Sequence, residues 1–147
     1  MWDEIRALVE GEGHMAGVDR SRSRIDRTAE IFTPAPLVVQ MLQRMPLEAF
    51  APGKDVLDPA CGDGNFLVAA KAIKMLAFDM DERAALDEIF GVDIMRDNVD
   101  RARERLGGGH ILMGDTLSPS RRLEGQTEQE HRQMLEWFTD QAQATLF

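Results

Sequence analysis

The sequence predicts an α/β fold with a reduced parallel sheet of about three strands and flanking helices. Two features of the hydrophobic pattern carry this prediction. Three short apolar segments, at residues 55–59, 88–94 and 110–115, are consistent with buried strands. Longer segments with apolar residues three and four positions apart lie around and between them, as in amphipathic helices. Strands that alternate with helices are joined by crossover connections and therefore lie parallel in one sheet.

Two helices are predicted before the first strand. Residues 2–10 have an apolar stripe at helical spacing. Thr33 followed by Pro34 predicts a second helix, because a hydroxyl cap and a proline in the first turn favour a helix start. The expected buried residues are Trp2, Ile5, Leu8 and Val9 in the first helix and Leu37, Val38, Met41, Leu42 and Met45 in the second.

The later helices follow from the same periodicity. A glycine-containing loop at residues 59–65 leads into an apolar helix that starts near Asn65, and residues 79–87 are charged enough for a loop or a weak helical turn. A helix at 95–106 is expected to direct its arginines outward and to end at three glycines. A last helical pattern covers residues 126–146, and it either covers the sheet or docks on a partner. The expected inward residues are Met95, Val99, Ala102 and Leu106, followed by Met134, Leu135, Phe138, Ala142 and Leu146 in the last helix.

Composition narrows the class of protein. Of the 147 residues 44% are hydrophobic and 29% charged, which is typical of one soluble globular domain, and no apolar run is long enough to cross a membrane. A single cysteine, Cys61, and an acidic amphipathic start favour the reducing cytoplasm. The net charge of −9 disfavours tight unaided binding to DNA. The basic segment at residues 19–30 is either a solvated surface or a phosphate-contacting edge, through Arg20, Arg22, Arg24 and Arg27.

A carboxylate lies at the carboxyl end of each predicted strand: Asp58, Asp93 and Asp115. In an open parallel sheet ligands bind at these ends. Glycines in the adjoining loop allow close backbone approach, but the dinucleotide fingerprint fails because Leu67 stands where its third glycine belongs, and no P-loop is present. An acidic, glycine-rich site favours a ligand with hydroxyls and a positive centre, such as S-adenosylmethionine.

Four blocks resemble the amino-half motifs of N6-adenine DNA methyltransferases. They are IFTP (31–34), VLDPACGDGNFL (56–67), IFGVDI (89–94) and ILMGD (111–115). Their order is similar to that in modification subunits of type I restriction systems, and the resemblance spans about residues 24–117. It implies a Rossmann-like methyltransferase core with S-adenosyl-L-methionine as cofactor and DNA as substrate. On this basis we expect an amino-terminal helix and flexible segment (1–18), a cofactor-binding domain (19–117) and a carboxyl-terminal loop and helix (118–147).

The resemblance also implies roles for individual residues. Thr33 and its neighbours would contact the methionine end of the cofactor, Asp93 would hold the ribose hydroxyls, and Asp115 would face the adenine amine. The cofactor-binding residues expected in this way are Phe32, Thr33, Pro34, Asp58, Ala60, Gly62, Gly64, Asn65, Phe66, Asp93, Ile94, Asp115 and Thr116.

One motif of the family is missing. Its members have [N/D]-P-P-[Y/F] after the fourth strand, where polar acceptors hold the target amine and the aromatic ring stacks on the flipped base. The six prolines of this sequence are never adjacent, and 33 residues follow Gly114. We therefore expect a cofactor-binding half. It is a minimal methyltransferase, a partial methyltransferase whose second subunit or second copy supplies the rest, or a binding module without transfer. No catalytic residue is assigned, and the scattered His14, His110 and His131 predict no metal site.

Overall fold

The computed structural model describes residues 1–11 and 32–138, and the basic segment at 19–30 lies outside them. The described residues form an α/β fold, as predicted. In chain order the elements are α1 (Trp2–Glu10), α2 (Ala35–Gln43), a 3₁₀ turn (Leu47–Phe50), β1 (Val56–Asp58), α3 (Asn65–Phe78), α4 (Glu82–Asp87), β2 (Ile89–Asp93), α5 (Arg96–Leu106), β3 (His110–Met113) and α6 (Glu128–Trp137). None of the described helices is long and apolar enough to cross a membrane.

The three strands form one parallel sheet in the order β1-β2-β3. Val56 is in register with Ile89, and Phe90 with His110. The connections through α3 and α5 are the crossovers that parallel pairing requires. The prediction of a reduced three-stranded parallel sheet is confirmed.

Both faces of the sheet are covered, but unequally. On one face Ile89 and Ile111 belong to a core shared with α1, α2, α3 and α5. On the other face α6 inserts Met134 between Val92 and Leu112. The ring of Trp137 meets Phe90 edge-on at 5.3 Å. The last helix therefore covers its own sheet over β2 and β3.

The structure corrects several buried positions. Leu8, Leu37, Met41 and Met45 are all exposed, although the sequence pattern predicts them inside. The reason is that α1 and α2 each contact the core along a narrower strip than their apolar residues cover. In α2 this strip includes Val39, which the pattern did not select.

Helix ends and the last helix also differ from expectation. Thr33 does not cap α2, because the helix begins one residue later with Pro34 as its N-cap. In α6 Leu135 is exposed, since the adjacent Met134 faces the sheet. The expected positions Ala142 and Leu146 lie outside the described residues. In α5 Val99, Ala102 and Leu106 are buried as predicted.

Candidate functional site

Three chain segments meet at the carboxyl end of the sheet. After β1 the Cys61 amide donates to the Val92 carbonyl at 2.8 Å, and after β3 the Gly114 amide donates to the Asp93 carbonyl at 3.0 Å. The Thr116 hydroxyl then donates to the Pro59 carbonyl at 2.7 Å, which joins the segments that follow β1 and β3. The parallel sheet thus brings the predicted strand ends to one edge.

Asp93 holds the middle of this edge. One carboxylate oxygen accepts the Gly62 amide at 3.1 Å. The other accepts the Met95 amide and the Asn98 side-chain amide, both at 2.9 Å. One carboxylate therefore fixes the loop after β1 relative to the start of α5. Asn98 was missed by sequence reasoning, although a polar residue three positions after Met95 on the buried face of α5 is a usable signal.

The loop at residues 59–65, hereafter the glycine loop, needs both of its glycines. Gly62 has φ +56°, and a Cβ atom there would lie 2.8 Å from the Phe32 ring. Gly64 has φ +97°, and its Cβ would lie 3.3 Å from Ala102 on α5. Positive φ is strained for residues with a side chain. The lack of a side chain at Gly62 therefore allows the Phe32 ring to pack against the loop, and at Gly64 it allows α5 to pack there.

The segment before α2 is attached to the same loop. The Asn65 side-chain amide donates to the Thr33 carbonyl at 2.8 Å, and the Phe32 ring lies against Gly62. Pro34 follows at the exposed start of α2. Residues 32–33 therefore lie against the glycine loop.

The edge has a negative electrostatic character. Burial raises the pKa of Asp58 above its usual value, the charge of Asp93 adds to the rise, and the hydrogen bond from the Ala60 amide opposes it. Burial also raises the pKa of the Cys61 thiol well above its usual range, and the charges of Asp93, Asp58 and Asp63 raise it further. A protonated thiol is a poor nucleophile. The site suits a cationic ligand better than an anionic one.

The remaining predicted residues occupy the rim. The Asp115 carboxylate accepts the Leu117 amide at 3.0 Å and pairs with Arg121 at 3.1 Å. Ala60, within the glycine loop, and Ile94, just after β2, are exposed. Phe66 lines a groove along β1, together with Pro59 of the glycine loop. No group of His, Cys, Asp and Glu among residues 1–11 and 32–138 has the arrangement of a metal site.

A buried ion pair beneath the loop was also missed. Asp63 is inaccessible to solvent and pairs with Arg105 of α5 at 3.4 Å. Arg105 has only 8% of its side chain exposed, so the expectation that the α5 arginines point outward is wrong for this residue. No sequence signal distinguishes it from the other arginines of this helix, since the glycine loop reaches it only through the tertiary fold.

Comparison with known proteins identifies the family. A family model described as N-6 DNA Methylase matches residues 21–104, more than half of the chain. The matched range includes the segment before α2, the glycine loop and Asp93. Neither the curated proteins nor the solved structures compared with the chain give a significant match. The chain belongs to the N-6 DNA methylase family.

Proposed function

We propose that the chain binds S-adenosyl-L-methionine at the carboxyl edge of its sheet, as the cofactor-binding part of a DNA adenine-N6 methyltransferase. The observation that carries the proposal is the acidic edge built around Asp93, which joins the glycine loop to α5. The nearby Asp58 is half-buried, and the charge of Asp93 helps to raise its pKa. Carboxylates in such surroundings favour a ligand that brings positive charge, and S-adenosylmethionine has both a sulfonium and an ammonium.

We assign different parts of the cofactor to different residues of the chain. Phe32 and Thr33 would contact the methionine end, and Asp93 would accept hydrogen bonds from the ribose hydroxyls. Asp115 at the rim would face the adenine amine. When bound, S-adenosylmethionine would supply a methyl group that an amine nitrogen attacks, with breakage of the carbon–sulfur bond, release of S-adenosylhomocysteine and loss of a proton from the amine. These residues bind and orient it, and alignment in a closed site is what accelerates such a displacement.

The amine-binding motif, which is not among these 147 residues, is proposed to come from a segment that joins the sheet at its β1 edge. The β1 edge supports this proposal. Val56 donates its amide to Glu88 beside β2, so the backbone groups of Leu57 point away from the sheet, and the Leu57 side chain is 46% exposed. Beside this edge lies an apolar groove of about 270 Å³, lined in part by Leu42, Met45, Phe50 and Phe66. Within residues 1–11 and 32–138 no strand pairs with this side of β1. A strand edge beside an apolar groove favours an added strand with apolar side chains.

The alternative is a module that binds S-adenosylmethionine without transferring its methyl. It rests on the same missing motif, and the net charge of −9 agrees with weak binding to DNA by this chain alone. The resemblance to type I modification subunits favours the first proposal and a place in a cytoplasmic restriction-modification system.

The decisive experiment measures binding and transfer in the same sample. Isothermal titration with S-adenosylmethionine is compared for the wild type, Asp93→Asn and the exposed control Asp87→Asn. We expect micromolar binding by the wild type, a loss of at least about tenfold for Asp93→Asn, and no change for the control. The proposal is contradicted if no binding is detected at millimolar ligand, or if Asp93→Asn leaves the affinity for S-adenosylmethionine unchanged.

Tritiated methyl transfer to unmethylated DNA separates the two functions. Transfer by the chain alone, or only after a second subunit is added, supports the methyltransferase. Binding without transfer under both conditions supports the module. Sedimentation velocity of the wild type and of Leu57→Lys tests whether a second copy uses the β1 edge, because a charge there would disrupt self-association.

A further inference from the structure

Arg105 links three segments of the chain through one side chain. Its Nη1 donates to the Asp63 carbonyl at 3.0 Å and to Asn65 Oδ1 at 2.8 Å. Its Nη2 donates to the Val9 carbonyl at 2.8 Å. The linked segments are therefore the glycine loop, the first residue of α3 and the last turn of α1.

The link extends one step further, to the segment before α2. Asn65 accepts from Arg105 through its carbonyl oxygen and donates to the Thr33 carbonyl through its amide. Arg105 thus fixes the orientation of the Asn65 side chain, and Asn65 in turn holds Thr33. Both segments that we assign to the methionine end of the cofactor depend on this single guanidinium.

An arginine suits this position for a geometric reason. Its planar guanidinium presents donors in a fixed fork, so it can donate to the Val9 carbonyl through one nitrogen and to the glycine loop through the other. A lysine ammonium keeps the charge beside Asp63 but is a point donor on a flexible stem. Charge compensation and loop orientation are therefore separable by the Arg105→Lys substitution.

The glycine loop requires such an external hold. Gly62 and Gly64 both adopt positive φ values, and glycine loses more backbone freedom on ordering than any other residue. Asp93 holds the loop from the β2 side through the Gly62 amide. Arg105 holds it from α5, at the Asp63 carbonyl.

We propose that Arg105 is a positioning residue that keeps the glycine loop in its ligand-binding conformation and couples it to α1. The cofactor consequence rests on the proposed function, whereas the loop consequence does not. Arg105 and α1 both lie outside the matched range of 21–104. α1 is nevertheless part of the core, since Ile5 and Val9 are completely buried. An element outside the family match thereby contributes to the binding site.

The first test is hydrogen–deuterium exchange of the ligand-free chain. We expect Arg105→Lys to accelerate exchange in residues 60–65 by at least about tenfold, because local opening of the loop becomes easier. The matched control is Arg103→Lys on the same helix, whose partners are the Ile111 carbonyl and Glu130. It should leave the exchange of the loop unchanged. If Arg105→Lys does not fold, the double variant Asp63→Asn with Arg105→Gln, which removes both charges of the buried pair together, is measured in its place.

The second test compares two ligands. S-adenosylmethionine uses the methionine end, and 5′-methylthioadenosine lacks it. We expect Arg105→Lys to weaken the binding of S-adenosylmethionine at least about tenfold and that of 5′-methylthioadenosine less than about threefold. Its thermal stability should be close to that of the Arg103→Lys control. A purely structural role would lower both affinities in step with stability.

The outcomes separate the two proposals. The positioning role is wrong if the loop exchanges at the wild-type rate both in Arg105→Lys and in the double variant. It is also wrong if the loop exchanges as fast in the Arg103→Lys control as in Arg105→Lys. If the wild type does not bind S-adenosylmethionine, the proposed function fails, and the exchange rates alone decide the role of Arg105.

Discussion

Replacing Glu130 with glutamine tests how α6 is attached to the sheet. Glu130 is 3% exposed and accepts the Met113 amide at 2.8 Å and the Thr127 amide at 3.0 Å. Arg96 donates to both of its carboxylate oxygens. A glutamine retains one acceptor but presents an amide NH₂ to groups that are themselves donors. Asp115 follows Met113 closely, so the same attachment also supports one rim of the candidate site.

The magnitude follows from the pKa of the carboxyl. Burial raises this pKa, but hydrogen bonds from Arg96, Met113 and Thr127 outweigh burial and lower it from 4.5 to about 2. At about 1.4 kcal/mol per pKa unit the difference corresponds to roughly 3 kcal/mol. The Arg96 side chain is 30% exposed, and water weakens its attraction. We expect Glu130→Gln to lower the free energy of unfolding by about 2–3 kcal/mol at pH 7.

The sign of the pH dependence is also determined. Because the folded pKa lies below the unfolded value, the charged Glu130 stabilises the fold above about pH 4.5, and this contribution is lost as the pH falls towards 2. Urea unfolding followed by circular dichroism at pH 7, 4.5 and 3 should therefore show a difference between wild type and variant that shrinks with acid.

Glu128→Gln is the matched control. Glu128 lies in the same first turn of α6 and also pairs with an arginine, Arg122, but both side chains are exposed. We expect a much smaller change in stability than for Glu130→Gln. A Glu130→Gln effect below about 0.5 kcal/mol at pH 7, or one equally large at pH 3, would refute the reasoning.

Three further predictions concern the edge, the sheet and α3. Asp58→Asn should raise the melting temperature at pH 7, because the pKa of Asp58 is higher in the folded than in the unfolded chain and its charge therefore costs stability as the pH rises. The same substitution should weaken the binding of S-adenosylmethionine about tenfold. The stability gain should vanish below the unfolded pKa. Gly114→Ala should cost about 1–3 kcal/mol in urea unfolding, since its Cβ would clash with the sulfur of the buried Met134. Lys74→Met should cost about 3–5 kcal/mol in the same assay, because the completely buried ammonium pairs with Glu88 and donates to three backbone carbonyls.

Each of these predictions has a control. Asp55→Asn removes an exposed charge just before β1 and should change neither stability nor affinity. Gly11→Ala adds a methyl group at the end of α1, where φ is −47° and the new Cβ would lie 3.2 Å from the Leu8 carbonyl oxygen, so it should cost less than Gly114→Ala. Lys71→Met removes an ion pair with the exposed Glu82 and should cost less than Lys74→Met. Equal effects in any pair would mean that burial does not set the cost.

The order of elements could be predicted from the sequence because it depends on local pattern. Period-three-and-four apolar residues specify α3 and α5, and short apolar runs specify the strands. Once the strands are known to be parallel, their carboxyl ends must share one edge, which brings Asp58 and Asp93 together. The motif around Gly62 then indicated the family. These conclusions need no knowledge of which helix touches which.

Other features were decided only by the tertiary structure. Lys74 belongs to a strongly apolar helix, yet its ammonium is buried because the turn before β1 places backbone carbonyls around it. Met41 is part of an apolar stripe, yet it is exposed because α2 meets its neighbours along a narrower strip.

Arg105 shows the same limit at the candidate site. It belongs to the charged pattern of α5 but is buried, since the glycine loop and α1, 42 and 96 residues away in sequence, fold onto it. Periodicity determines which face of a helix turns inward, whereas the partners of a charged side chain depend on segments that only the complete fold brings together.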